Sequence, residues 1–216
     1  MAIQVVLATR NAHKIEEVKR IVAAVCSDIE ILDLNAWPNA PEVVEDASTF
    51  SGNALLKARA IAAHTNLPTI ADDSGICVDA LNGMPGILSA RWAGSHGNDK
   101  ANLQLVLDQV SDVPASRRGA NFTCAVAFVT PDGDERVVEG IVEGKLASAP
   151  RGEDGFGYDP IFEPLGLDRT TAELSAKEKD AISHRGQAVR AAVIEILSVL
   201  QPVEGCGGNC ACKAGN

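Results

Sequence analysis

Apolar and polar positions along this chain alternate between two periods, and the places where the period changes mark its elements. Residues 3–8 form a mostly apolar run that reads as a strand. The turn Thr9-Arg10-Asn11-Ala12-His13-Lys14 follows, after which Ile15, Val18, Ile21, Val22 and Val25 recur at helical spacing. A second strand is predicted near 29–33, then a polar stretch over Pro41–Asp46, then a helix near 50–64 with Leu55, Ala58, Ile61 and Ala62 on one face. Thr69–Val78 is an apolar, β-rich run interrupted at its middle by the adjacent carboxylates Asp72 and Asp73.

Beyond it, Asn82-Gly-Met-Pro-Gly86 breaks regular structure, and a helix is predicted near 99–110. Residues 120–130 and 135–143 read as two long strands joined through Pro131-Asp132-Gly133, a hairpin connection. A glycine-rich loop spans Gly152–Gly157. Ser175-Ala-Lys-Glu178 is a capping box that opens a short helix, and a longer helix is predicted over 184–200. Helices between strands plus a long hairpin indicate an α/β fold, a mixed β-sheet flanked by helices. One domain is expected over 1–203, followed by a tail at 204–216.

Composition narrows the choice of partner. The chain has 216 residues, 46 % of them hydrophobic, and a formal charge of −10. That balance argues against a general nucleic-acid or anionic-membrane binder, because such partners are held by a basic surface. An anionic substrate would need a local basic pocket. No apolar stretch has the length of a membrane span and the first residues lack a basic leader, so a cytoplasmic location is expected. Cys26, Cys77 and Cys124 stand singly among apolar neighbours and read as buried reduced thiols. Cys206, Cys210 and Cys212 lie in the Gly-rich tail, which reads as a flexible appendage; a soft-metal or redox role stays open, without an evident fourth ligand.

Chemistry is concentrated at four places. At the start of the first helix, free N–H groups and the positive end of the dipole make Thr9–Lys14 a natural phosphate cradle, with charge from Arg10 and Lys14; plain surface is the alternative. The Walker loop G-x-x-x-x-G-K-[ST] is absent. Side chains on a strand alternate faces, so Asp72 and Asp73 cannot both line one cleft unless Gly75 kinks the strand, and one of them is expected to be structural. Glu42, Glu45 and Asp46 form a second acidic group, either helix capping or, with the first, the hard oxygen ligands that Mg²⁺ uses. Phe156 and Tyr158, set between glycines, read either as core plugs or as platforms for a flat ligand. Ser183-His184-Arg185 places cations against a helix dipole, which calls for an anion between them, with Lys177 and Lys179 close by. His13, His64 and His96 have no metal-ligand spacing, and no Ser or Cys stands near a base.

With these residues in view, the chain resembles the inosine/xanthosine triphosphate pyrophosphatase family. The motifs are T-R-N-A-H-K (Thr9–Lys14), E-D-A-S-T-F-S-G-N-A (Glu45–Ala54), A-D-D-S-G (Ala71–Gly75), G-M-P-G-I-L-S-A-R (Gly83–Arg91), G-F-G-Y-D-P (Gly155–Pro160) and E-K-D-A-I-S-H-R-G (Glu178–Gly186). The resemblance implies an elongated fold with a substrate cleft between two lobes, a homodimer, and Mg²⁺ without an organic cofactor. It implies cleavage of deaminated purine nucleoside triphosphates to monophosphate and pyrophosphate, a catalytically silent nucleotide-binding module being the alternative. Carried onto matching positions, Thr9, Asn11 and Lys14 would hold the triphosphate, with Arg10, Ala12 and His13 in the same turn. Glu45 and Asp73 would hold the metal, Asp73 would also be the base for water, and Ser74 would touch phosphate. Phe156, Gly157, Tyr158, Asp159, Lys179, His184 and Arg185 would form the nucleoside pocket, where Arg185, His184 and backbone N–H groups are expected to meet a 6-oxo group. Two positions depart from the pattern: Ala47 stands where glycine is usual, and Gly52 replaces a common acid, which makes Asp46 the first substitute carboxylate to consider.

Overall fold

The computed structural model describes residues 2–201, and in it the predicted strands join one sheet. β1 (Ile3–Leu7) pairs in parallel with β2 (Ile29–Asp33) and with β3 (Thr69–Val78). β3 then pairs antiparallel with β4 (Gly119–Val129), β4 with β5 (Glu135–Leu146), and β5 with β6 (Phe162–Pro164), giving the order β2-β1-β3-β4-β5-β6. The mixed sheet follows from connection length: the 3-residue turn at Pro131–Gly133 forces a hairpin, whereas α1 (Ala12–Val25) and α2 (Phe50–Thr65) return the chain for parallel pairing. β6 was not expected; three residues are too few to carry a period, and they pair only with Gly144–Leu146.

Alternation along the strands sorts the core into two layers. Val5, Leu7, Ile70 and Phe128 pack with α1 and with α5 (His184–Leu200), while Val6, Ala71, Ala127 and Val129 pack with α2 on the opposite face. A separate apolar cluster, built on Ile76, Phe122, Tyr158 and Phe162 with α3 (Asp99–Gln109), occupies the far end of β3 and β4. These are the two lobes, and a short helix α4 (Ala176–Ile182) leads into α5 beside them.

One consequence of register positions the site. β1 meets β3 only at Val6–Thr69 and Leu7–Ile70, so the next stretch of that β3 edge lacks a strand neighbour until the bridge between Cys77 and Pro85. Unpaired backbone groups there must find other partners. Side chains supply them: Lys57 Nζ donates to the Asp72 carbonyl (2.7 Å), the Asp73 carboxylate accepts from Ser74 N–H (2.9 Å), and Ser89 Oγ accepts from Ile76 N–H (3.0 Å).

Gly75 does not kink the strand, since β3 and β4 stay in continuous register from residue 69 to residue 78. Its role is close approach: a Cβ there would collide with the Ser89 hydroxyl and the Gly86 carbonyl. Cys26, Cys77 and Cys124 are free thiols, as expected, but only Cys124 is fully buried. No helix among the described residues is long and apolar enough to cross a membrane. The tail cysteines lie outside the described residues.

Candidate active site

A cleft of about 1020 Å³ runs over the open edge of β3. Because it crosses an edge, it touches both faces of the strand, and the consecutive residues Asp73, Ser74 and Gly75 all line it. Asp72 and Asp73 do point to opposite faces, and each serves a different bank.

On the α5 side lies a buried charge network. Arg185, 2 % exposed, donates to Glu17 (2.5 Å), Asp72 (3.2 Å) and Ser74 Oγ (2.8 Å). Lys179 donates to Glu17 (2.8 Å) and Asp159 (2.5 Å), and Lys14 pairs with Asp72 at 3.0 Å. Burial disfavours the Glu17 carboxylate, yet Arg185 and Lys179 outweigh that and hold it below its usual range. Asp72 is held well below the carboxylate range in the same way, burial being overcome by Lys14, Arg185 and Lys57. The anion expected against Arg185 is therefore supplied by the protein itself, through Glu17 and Asp72. Asp72 Oδ1 is the one buried side-chain polar atom without a hydrogen-bond partner among the described residues.

Glu17 was missed because a glutamate in an amphipathic helix reads as a solvated charge. The available signal was its place three residues after Lys14, on the face that also carries Ile21.

Above this network sits an aromatic and cationic pocket. Phe156 is half-buried, stacks on His13 with centroids 5.2 Å apart, and lies 5.0 Å from Lys179 Nζ and 5.5 Å from Arg185 Cζ. His184 stacks on Phe122 at 4.6 Å, and burial, followed by the nearby Arg185 and Lys179 charges, keeps its imidazole neutral. Tyr158 is a core plug, 5 % exposed, with its hydroxyl donating to Ser89 O at 2.8 Å. Two backbone donors of this loop are already bonded: Phe156 N–H to Asp159 (2.8 Å) and Gly157 N–H to Asp99 (2.9 Å). Arg185 is left with two of its five N–H groups.

The Thr9–Lys14 turn closes this bank. Asn11 caps α1 by accepting from Lys14 N–H (3.2 Å), and Thr9 Oγ1 accepts from Asn11 N–H (3.2 Å). Thr9, Asn11 and Lys14 line the cleft; Ala12 and His13 are not among its lining residues. Arg10 lines it too, with its guanidinium on the Ala40 carbonyl (3.0 Å).

On the α2 side the charge is sparser. Lys57 Nζ lies 2.7 Å from Glu45 Oε1 and 3.9 Å from Asp73 Oδ1, so the two acids that are 28 positions apart in sequence meet around one ammonium. Burial raises the Asp73 carboxyl above its usual range despite Lys57 and Lys14, and Lys57 is raised because Asp73, Asp72 and Glu45 outweigh its own burial. Asp46 is exposed, makes no ion pair among the described residues and is not among the residues that line the cleft. Two carboxylates against one lysine leave this bank one negative charge in excess. Hard oxygen donors with residual negative charge suit Mg²⁺, which fills its remaining positions with water and substrate oxygens. No cluster of three or more His, Cys, Asp or Glu side chains that could hold a metal ion occurs among the described residues.

The chain is similar to known proteins over most of its length. The chain is 55 % identical over 197 residues to a dITP/XTP pyrophosphatase of Streptomyces coelicolor, covering 91 % of this chain and 98 % of the relative. It is 54 % identical to the dITP/XTP pyrophosphatase of Corynebacterium efficiens, with the same coverage. Among solved structures, a nucleoside-triphosphatase / dITP/XTP pyrophosphatase from Mycobacterium abscessus superposes with a TM-score of 0.72 at 51 % identity, over 88 % of this chain and 99 % of that one. The Ham1 protein of Staphylococcus aureus superposes with a TM-score of 0.78 at 40 % identity, over 89 % and 98 %. The sequence profile of the Ham1 family matches residues 5–194, and the chain belongs to that family.

Proposed function

We propose that this protein hydrolyses deaminated purine nucleoside triphosphates (ITP, dITP and XTP) to the monophosphate and pyrophosphate, and so cleanses the nucleotide pool. The names carried by its relatives support the substrate class. The observation that carries the reading is the meeting of Glu45 and Asp73 around Lys57, across the cleft from Lys14 and the Phe156 pocket.

In this reading the triphosphate lies over the β3 edge, with Thr9, Asn11, Lys14 and Ser74 as donors to its oxygens. Glu45 and Asp73 would hold Mg²⁺, which would supply charge neutralisation for the phosphates. Asp73 takes the proton from the water that attacks the α-phosphorus, and pyrophosphate leaves. Lys57 bridges the two carboxylates and offsets part of their mutual repulsion.

The base enters beside Phe156, where the remaining Arg185 donors and His184 face its 6-oxo edge. Adenine would present an amino group to those donors, leaving buried groups unpaired, and such mismatches discriminate by about 10⁴ or more. The family resemblance supports a homodimer, and light scattering tests the assembly. The direct test of activity is product identity with Mg²⁺ present: dITP should give dIMP and pyrophosphate at a rate far above that with ATP. Release of a nucleoside diphosphate and orthophosphate overturns the reading, and tight ITP binding without turnover would instead favour the silent binding module.

A further inference from the structure

The segment that carries Glu45 has little to hold it. Residues 41–48 belong to no helix or strand, and none of them takes part in a backbone–backbone hydrogen bond among the described residues. The Ala47 N–H is instead bound by the side chain of Asn53, whose Oδ1 accepts it at 3.0 Å. The other end of the same carboxamide, Nδ2, donates to Asp73 Oδ2 at 3.0 Å. Asn53 is fully buried on α2, and its own backbone N–H bonds to Thr49 O at 3.1 Å.

We infer that Asn53 is a positioning residue that fixes the Glu45 segment against Asp73, acting through both carboxylates without itself touching the substrate. This rests on the reading of Glu45 and Asp73 given above. Asparagine suits the task because one planar group presents an acceptor and a donor in opposite directions. Aspartate would keep the acceptor for Ala47 but set a like charge against Asp73. Leucine would fill the space and serve neither partner, leaving a buried N–H and a carboxylate oxygen unpaired. Lys57 stands four residues later on the same face of α2, so amide and ammonium come down together on the Asp72–Asp73 stretch. Gly52 allows the segment to lie this close, since a Cβ at that position would come within 2.7 Å of the Ala47 Cβ.

The test combines amide hydrogen exchange with steady-state kinetics on the full chain. In the wild type the Ala47 amide should exchange more slowly than those of Asp46 and Ser48. In Asn53→Leu it should exchange about tenfold faster or more, as expected for a lost hydrogen bond. The same variant should lose about 10²-fold in kcat for dITP with KM within about threefold, since misplacement of a reacting group costs rate rather than substrate grip. Asn53→Asp should keep the slow Ala47 exchange and still lose kcat by about 10–100-fold. A merely structural asparagine would lower the melting temperature and the active fraction in both variants without separating kcat from KM in the folded protein. A kcat within about twofold of wild type in a folded variant overturns the inference. An unprotected Ala47 amide in the wild type does so too, even where Asn53→Leu fails to fold. If the wild type releases no pyrophosphate from dITP the proposed function falls, while the exchange data still decide whether Asn53 holds the segment.

Discussion

The two banks of the cleft solve the same problem, holding charge at a half-dry surface, in opposite ways. On the α5 bank three cations (Lys14, Lys179, Arg185) meet three carboxylates (Glu17, Asp72, Asp159) in a buried, balanced network. On the α2 bank one cation, Lys57, faces two carboxylates, and Glu45 is 26 % exposed on an irregular segment. Balance makes the first bank rigid and pre-set for a ligand that brings shape and hydrogen bonds. Imbalance makes the second a receptor for added positive charge. The lesson concerns division of labour: under the proposed function, recognition falls to the neutral, over-determined bank, and chemistry to the bank with charge in excess.

The largest expected effect tests the incomplete bank. Asp73→Asn removes the proton acceptor and half of the cation site at nearly constant shape, and kcat with dITP should fall by about 10²–10⁴. The fold should survive, because the carboxamide oxygen can still accept from Asn53 Nδ2 or from Ser74 N–H, although its NH₂ then faces the other donor and lowers the melting temperature modestly. Loss of the fold would make Asp73 structural and would reassign it to the logic of the other bank.

Charge removal on the two banks should then differ in kind. Glu17→Ala leaves Lys179 and Arg185 buried with one partner fewer, and removing one member of a buried ion network costs about 3–5 kcal/mol. Glu45→Gln, on a partly exposed pair, should cost at most about 1 kcal/mol of stability while reducing turnover. Urea unfolding of both variants measures the contrast. Equal stability losses would show that the banks are not distinct.

Much of this division was legible in the sequence, and the part that was not has a physical reason. Period-two alternation correctly put Asp72 and Asp73 on opposite faces, and helical spacing located α1, α2 and α5. What local pattern could not reveal is where β1 stops along β3. The open edge depends on a register between distant segments, and that edge lets one cleft reach both faces. Glu17 and Asn53 were invisible for a related reason. Each is a polar residue whose burial is decided by partners 20 or more positions away, Asp73 for Asn53 and Arg185 for Glu17. The departures at positions 47 and 52 read as two separate changes in sequence, whereas in space they are one contact.

That contact gives a smaller effect, confined to the α2 bank. Restoring an acid by Gly52→Glu alone should cost about 1–3 kcal/mol, since its Cβ would press on Ala47 Cβ at 2.7 Å. Making Ala47→Gly in the same chain should recover most of that loss. The pair should therefore be strongly non-additive in thermal unfolding, as expected for touching residues. Simple additivity would mean that the Glu45 segment is free to move away from α2.

The smallest effect belongs to the α5 bank and is read from acid. His184 is the buried imidazole of the chain, with burial first and the Arg185, Lys179 and Lys14 charges next opposing its protonation, against a single favourable carboxylate, Asp72. Its folded pKa is depressed, so the folded state stays unprotonated where the unfolded chain takes up a proton, near pH ~6.5. The corresponding stability is present above that pH and is lost as pH falls below it, by at most about 1.4 kcal/mol per pH unit. Glu17 and Asp72 are likewise depressed, but their unfolded counterparts protonate near pH ~4, so their loss begins lower and leaves a window in which His184 dominates this bank. His184→Gln should shift absolute stability by a constant and flatten the slope of unfolding free energy between about pH 6.5 and about pH 5. An unchanged slope would mean that His184 takes a proton inside the folded cleft, and a cationic ring there would end the charge balance of the α5 bank.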